Sequence, residues 1–349
     1  MNIPVIDMHS HFLINAYLFR KRFDRRHGRA WLWNPLRNAY DLPRAREGGV
    51  AGATFTMYDP GLPRFLGGGM KMIRAMRRRF DVLLSQCEGD LVECSSAAGI
   101  RRAMDEGKFP APLAVEGMDV IGGDLKNVQV LHDMGVRMGT VVHFVTTDLA
   151  DAVWGKARHG GLSDLGKRLV SEMQRLGMIV DLSHASHKTF WDAIALAESP
   201  YVVSHTGATG AGAGSRGLDD NQLCAIRDLH GVAGVIFFPW YLKRHSILGG
   251  IELVARHTAY IAEKIGVEHV GIGTDADSPI WLPFDFKEMS NFPLLTEGLR
   301  KHGLTDADLR LIYSENYLRV LDATDPAFRA GGRAGVSRHP SPETAGPSP

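Results

Sequence analysis

Near the start of the chain the stretch IDMHSHF, Ile6 to Phe12, sets two imidazoles one residue apart. In an extended strand residues i and i+2 share a face, so His9 and His11 are expected side by side with Asp7 in the same row, a row able to grip a metal ion. Further along, the same residue types recur at the ends of apolar segments: VEG with Glu116, VVH with His143, DLSH with His184, VVSH with His205, and GIGTDAD with Asp275 and Asp277. Any one of these has a plain structural explanation, a hydrogen-bonded core histidine or an aspartate capping a helix. Five histidines with carboxylates at successive strand ends point instead to one metal-ligating cluster. Imidazole and carboxylate without paired thiolates suit zinc first, with manganese, iron or cobalt as alternatives. The set exceeds the three protein ligands of a usual catalytic ion and suits two, bridged by a carboxylate such as Glu116 and sharing a hydroxide at neutral pH.

The elements that must position these residues are legible as an alternation of short β-rich segments with helical patterns. Eight candidate strands run Ile3 to Met8, Val50 to Phe55, Pro112 to Val115, Arg137 to Val142, Met178 to Leu182, Tyr201 to Ser204, Val232 to Phe237 and His269 to Gly273. Eight strands with intervening helices predict an α/β fold, a single-domain (β/α)8 TIM barrel over residues 1–324, in which chemistry collects at the C-terminal ends of the strands. Ser163 is expected to cap a helix ended by Gly177, and Ser186 to open one that stops before Pro200. Ile251 to Ile265 is a third helix, followed by Gly266, and Thr305 with Asp308 forms a capping box for a last helix through Leu321. Residues 12–49 read as an insertion after the first strand, partly helical and shaping a pocket, and 325–349 as a Pro/Gly/Ser-rich extended tail.

Bulk properties remove several function classes. With 40 Lys+Arg against 39 Asp+Glu, the net charge gives no reason to expect nucleic acid or an anionic membrane as partner. A local basic run, Arg20, Lys21, Arg22, Arg25, Arg26 and Arg29 interleaved with Phe19, Phe23 and Trp31, is read as a solvated amphipathic insertion, with a partner-binding patch as the competing reading. Three cysteines, Cys87, Cys94 and Cys224, form no paired-ligand spacing and suit a reducing compartment. Polar His9, Ser10 and His11 interrupt the first dozen residues where a secretory signal would be apolar, and no run approaches a membrane span, so the expected location is the cytoplasm.

GLSDLGKRLVSEMQRLGMIVDLSHAS, the strand ending VVSHTGA, then GVIFFP, HVGIGTDAD and the later ENYLRVL together resemble the membrane (renal) dipeptidase family of the amidohydrolase superfamily, most densely from Gly161 to Asp277. The resemblance implies that His9 and Glu116 hold a first metal ion, that Glu116 bridges, and that His184 and His205 hold a second. It also implies that Asp275, close to the first ion, takes the proton of the attacking water, that His143 polarises the scissile carbonyl, and that Arg216 in AGSRGL binds the substrate's terminal carboxylate. A homodimer is implied as well. The expected activity is hydrolysis of a dipeptide or an N-acyl amino acid.

The chain departs from the family pattern at His11, where an aspartate is usual, which removes a negative charge from the cluster and makes bound water more acidic. Met118 and Asp119 stand near where a histidine tends to occur, and Gly217 replaces a larger polar residue after Arg216. These departures keep a second hypothesis open, the same barrel and metal site acting on a non-peptide small molecule in a specialised pathway. A third, a non-catalytic barrel that binds a partner through its arginines, leaves the proton-transfer groups without a purpose.

Overall fold

The structure is a computed structural model that describes residues 3–28, 38–61, 68–244 and 246–326. Its main sheet has eight strands, β1 (Val5–Ser10), β2 (Val50–Tyr58), β5 (Leu113–Glu116), β6 (Val136–Thr140), β7 (Ile179–Asp181), β8 (Val202–Thr206), β9 (Val232–Val235) and β10 (Val270–Ile272), hydrogen-bonded in that order. Every neighbouring pair is parallel. The two edges meet at the top, where His11 N–H donates to Ala276 O at 2.8 Å and Asp275 N–H to His9 O at 2.9 Å. Just below, the Asp7 carboxylate accepts both the backbone N–H and the hydroxyl of Thr274, at 2.9 and 2.6 Å. The expected (β/α)8 barrel is thus observed, with all eight expected strands in place. A short parallel pair, β3 (Leu91–Glu93) and β4 (Phe109–Ala111), was not expected; three-residue strands are too short to show a pattern.

Apolar side chains divide into two layers. The larger cluster lies between the strands and the helices, where a parallel sheet must be covered on its outer face. The smaller gathers Ile6, Met8, Ala114, Met138, Ile179, Val202 and Val232 from strands around the ring, which can share one cluster only across the barrel interior. Tyr317 and Leu318 of the last helix join this cluster, and the Tyr317 hydroxyl meets Thr54 Oγ1 at 3.0 Å. The interior is therefore packed, and the opposite mouth is left for chemistry.

Local signals are realised closely. Ser163 caps the helix Asp164–Leu176 by accepting from Gly166 N–H, and Gly177 ends it in the left-handed region at φ 74°. The helix opened by Ser186 ends at Ile194, short of Pro200. Thr305 and Asp308 form the expected reciprocal box, although the helix that follows is interrupted by a π-turn over Leu311–Glu315 before it resumes as Asn316–Thr324.

The described part of the segment after β1, with helices Phe12–Phe19 and Leu42–Gly48, packs on the barrel wall through Phe12, Phe23 and Tyr40, all fully buried. The ring of Phe23 meets Phe55 and Phe109 at 5.3 and 5.1 Å. Apart from His11, none of its described residues lines the cavity at the mouth; Phe12, Phe23 and Tyr40 are spent on the core. The basic run is solvated as expected, with Arg22 paired to Asp24 and Arg26 to Glu47. Arg29, Trp31 and the tail from residue 327 lie outside the described residues.

Candidate metal centre and active-site cavity

Seven of the eight cluster residues named from the sequence meet at the C-terminal mouth; the eighth, Asp277, turns instead to the segment after β1, where its Oδ1 accepts Ala39 N–H at 2.7 Å. His9 and His205 lie within β1 and β8, and Glu116 is the last residue of β5. His11 does not continue the strand, as alternation implied, but stands at the N-cap of the helix Phe12–Phe19; the turn still brings its Nε2 to 3.1 Å from His9 Nε2. His143, His184 and Asp275 each follow a strand by three residues, the last two at φ 65° and 57°. Non-glycine residues are held in this left-handed region at a cost, and such backbone strain concentrates where a side chain must be aimed.

Glu116 is the hub. Its Oε1 lies 3.1 Å from His184 Nε2, 3.4 Å from His205 Nε2 and 3.6 Å from His9 Nε2. Its Oε2 lies 3.4 Å from His11 Nε2 and 3.3 Å from His143 Nε2. Asp275 Oδ1 stands 3.0 Å from His11 Nε2, and His184 Nε2 is 3.0 Å from His205 Nε2. Two sets of ligand atoms lie within 4.8 Å of one another and share Glu116: His9, His11 and Glu116, and Glu116, His184 and His205.

Electrostatics follow from burial and mutual contact. Burial raises the Glu116 pKa, but His143, His9 and the adjacent His11 and His184 outweigh it and hold the carboxyl well below its usual range. Burial, reinforced by the Arg216 charge, holds His184 well below 6.5, and burial with the neighbouring His9 does the same for His205. Both are neutral imidazoles at pH 7, the form that ligates metal. Burial depresses His143 too, despite the Glu116 charge. For His11 burial acts downwards but the Asp275 and Glu116 carboxylates prevail, and its pKa is pushed up to about 10.

A second layer, not recognised in the sequence, orients these ligands. The buried Asp181 carboxylate accepts Thr140 Oγ1 and Ser204 Oγ on one oxygen, both at 2.7 Å. Its other oxygen takes the N–H groups of Ser183 and Ser204 at 3.0 and 2.9 Å. With its proton given to Asp181, the Ser204 oxygen accepts from Nδ1 of His205 at 2.9 Å and of His9 at 3.2 Å. Both rings then carry their proton on Nδ1 and present the Nε2 lone pair to the cluster. Gly234 and Gly273 make room for this strand, since a Cβ at either would sit about 2 Å from Ser204 O. The clue was the polar residue upstream of the histidine within each motif, Asp181 in DLSH and Ser204 in VVSH.

The donor set passes a chemical test for divalent cations. Imidazole lone pairs and carboxylate oxygens converge without a thiolate or a lysine among the described residues, and Glu116 Oε2, though buried, has no hydrogen-bond partner. A carboxylate oxygen faced only by imidazole nitrogens is poorly satisfied by protein alone.

Above the cluster opens a cavity of about 310 Å³ whose wall is aromatic. Phe144 stacks on Trp154 with centroids 6.0 Å apart, Trp154 meets Tyr241 at 5.1 Å, Tyr241 meets Phe238 at 4.7 Å, and Phe238 meets Trp281 at 6.5 Å. Sequence reading missed this wall, and also Tyr58, whose ring packs edge-on against His11 and His143 at 5.1 and 5.7 Å. Arg216 does not line the cavity. Its Nη2 donates to His205 O at 2.9 Å and its guanidinium lies 5.7 Å from the Tyr241 ring centroid, directly behind the wall. It is buried, its Nε has no partner, and it forms no ion pair among the described residues. Gly217 beside it has no room for the larger residue expected there, because a Cβ would lie 2.5 Å from that of Ala213.

A (β/α)8 barrel with histidines and acids gathered at its mouth defines a metal-dependent hydrolase. The family model for membrane dipeptidase, peptidase family M19, matches residues 1–330, and the chain belongs to that family. It is 28% identical over 346 residues to dipeptidase aclJ of Aspergillus oryzae, covering 94% of this chain and 80% of that one. Among solved structures it resembles dipeptidase AC, a metallopeptidase of family M19, with a TM-score of 0.83 and 29% identity over 93% of this chain and 99% of that one. It also resembles a metallopeptidase from Rhodobacter sphaeroides liganded with a phosphinate mimic of the dipeptide L-Ala-D-Ala, with a TM-score of 0.82 and 27% identity over 93% of this chain and all of that one.

Proposed function

We propose that this protein hydrolyses the amide bond of a dipeptide or dipeptide-like small molecule with the aid of two divalent ions, zinc first. The observation that carries the reading is the convergence of five imidazole Nε2 atoms on the one Glu116 carboxylate, with Asp275 alongside. His9, His11 and Glu116, with Asp275 adjacent, would hold one ion, and Glu116, His184 and His205 the other. Ions so held acidify a coordinated water and draw charge from the scissile carbonyl.

The remaining roles belong to the chain. Asp275, held beside the cluster by its left-handed backbone, takes the proton of the attacking water and returns it to the departing amine. His143, on the cavity side of Glu116, hydrogen-bonds the carbonyl oxygen as negative charge develops there. Arg216 is a buried cation without a carboxylate partner among the described residues, a costly arrangement that a substrate carboxylate would relieve by charge-assisted hydrogen bonds. Its guanidinium lies behind Tyr241, so this role requires the Tyr241 ring to turn aside when substrate binds.

His11 favours a second reading, the same site acting on a non-peptide small molecule, because it puts an imidazole where the family has an aspartate. Metal analysis of protein purified without chelators, with a panel of dipeptides, tests both. Two equivalents of zinc with dipeptide turnover support the first reading; two equivalents without turnover favour the second; and failure to take up metal on reconstitution sinks both. The sparse, unpaired cysteines extend the reading to a cytoplasmic enzyme, and the family resemblance to a homodimer acting on a small molecule without nucleic-acid or membrane partners. Fractionation of the native cell and sedimentation test these.

A further inference from the structure

The cavity wall and its floor differ in kind. The charged groups that line the cavity belong to the cluster itself; among the described residues no lysine, arginine or further acid lines it. The remaining lining is mostly rings. Phe144, Trp154, Tyr241, Phe238 and Trp281 touch in succession, and the Phe144 ring reaches down to His143 and His184 with centroids at 4.1 and 5.3 Å. The wall thus begins where the scissile bond would lie. At its two ends Phe144 and Trp281 are 44% and 47% exposed. Large rings left open to water beside a polar centre mark a surface that gains by being covered, at roughly 25 cal/mol per Å² of apolar area removed from water.

We infer that the preferred substrate carries a large apolar, ring-bearing side chain on one of its two residues, laid along the Phe144–Trp154–Tyr241–Phe238–Trp281 wall. The inference rests on the proposed hydrolase reading and adds the substrate class to it. A short side chain such as that of alanine leaves most of the wall wet. A charged one meets rings where it needs a counter-ion: a carboxylate loses its hydration without replacement, and an ammonium recovers only part of its own from the ring faces. An aromatic side chain gains offset or edge-to-face contacts of the kind the wall rings already make with one another.

The test is a comparison of kcat/KM on the metal-loaded full chain for Ala-Ala, Phe-Ala, Ala-Phe, Ala-Lys and Ala-Asp. One Phe-bearing dipeptide should exceed Ala-Ala by roughly tenfold or more, the scale on which apolar pockets discriminate side chains, and the charged dipeptides should fall below both. Phe144→Ala and Trp281→Ala, at exposed positions where folding is not at stake, should each lower the Phe-to-Ala ratio several-fold. Equal rates across the panel, or a preference for Ala-Ala, overturn the inference and leave the hydrolase reading standing. If no dipeptide is cleaved by metal-loaded protein, the dipeptide reading falls, and the inference is decided by binding, read from tryptophan fluorescence titrated with the same compounds. Half-saturation by a Phe-bearing dipeptide at a concentration at least tenfold below that of Ala-Ala keeps it; equal half-saturation, or no response, removes it.

Discussion

The floor and the wall of the cavity are built on opposite principles. The floor is polar, buried and cross-bonded: Glu116 touches five imidazoles, and Asp181 through Ser204 holds two of those rings in one tautomer. The wall is apolar, partly open, and held by ring contacts and by the loops that carry the rings. Floor residues sit on or just past strands, where the barrel fixes their positions; wall residues sit in the loops after β6, β9 and β10, where the barrel fixes only the ends. Reaction chemistry is thus assigned to the rigid part and substrate choice to the adjustable part.

If that division holds, changes to the floor act on turnover and metal, and changes to the wall act on which substrate is used. The largest effect belongs to Asp275. Asp275→Asn keeps the shape but not the base, so kcat should fall by about 10²–10⁴-fold, the range for a lost general acid–base group, with metal content by elemental analysis unchanged. Full turnover in this variant would remove the proton-transfer assignment. Ser204→Ala acts beneath the ligands: with the Nδ1 acceptor of His9 and His205 gone, metal affinity measured by chelator competition should weaken by about 10–100-fold, as for other outer-sphere partners of metal ligands. An unchanged affinity would reduce the Asp181–Ser204 network to a packing feature.

The same division explains what could be read from the sequence. His9, Glu116, His143, His184, His205 and Asp275 were legible because each follows a recognisable strand, and parallel strands in a barrel must deliver their ends to one mouth. The proximity of His9 and His11 was foreseen for an incomplete reason: alternation along a strand predicted it, whereas a turn into a helix produces it. The wall was not legible because aromatic residues in loops obey no period, so Trp154 and Trp281, far apart in the chain, gave no sign of facing one cavity. Conversely, the segment after β1 suggested a pocket, yet its Phe12, Phe23 and Tyr40 form core, since composition does not say which way a ring turns. The role of Asp181 was hidden inside a motif quoted for its histidine.

Arg216 joins the two regions, bonded to the backbone of a floor residue and stacked behind a wall residue. Arg216→Met keeps the stem that packs on Tyr241 and removes the charge. KM for dipeptides with a free C-terminus should rise by about 10–100-fold, the worth of hydrogen bonds to a charged group, while kcat changes far less. C-terminally amidated dipeptides should show little difference between the two proteins. A loss of kcat alone, equal for both substrate types, would contradict carboxylate capture and make Arg216 a structural brace for His205.

The smallest effect separates the wall's support from the floor's. His257, in the helix Ile251–Ile265, is fully buried; its Nδ1 accepts from Ala208 N–H at 3.1 Å and its Nε2 donates to Leu242 O at 2.9 Å. It therefore ties the loop bearing Phe238 and Tyr241 to the segment leading to Arg216, using both nitrogens of one neutral tautomer. Burial pushes its pKa down from 6.5 to about 4. Because the unfolded chain binds this proton more readily, the contribution of His257 is fully present above pH 6.5 and is lost as pH falls through about 4. Between pH 7 and pH 5 the wild-type protein should lose about 2 kcal/mol of unfolding free energy from this residue, read from urea denaturation of metal-free protein. His257→Gln, which can still bridge the two loops but does not titrate, should show a slope smaller by that amount. Equal slopes would mean that acid reaches the protein through other groups. A smaller slope in the variant would show that protonation loosens the loops that hold the wall by breaking a bond outside the metal cluster, and would give wall and floor separate causes of acid sensitivity.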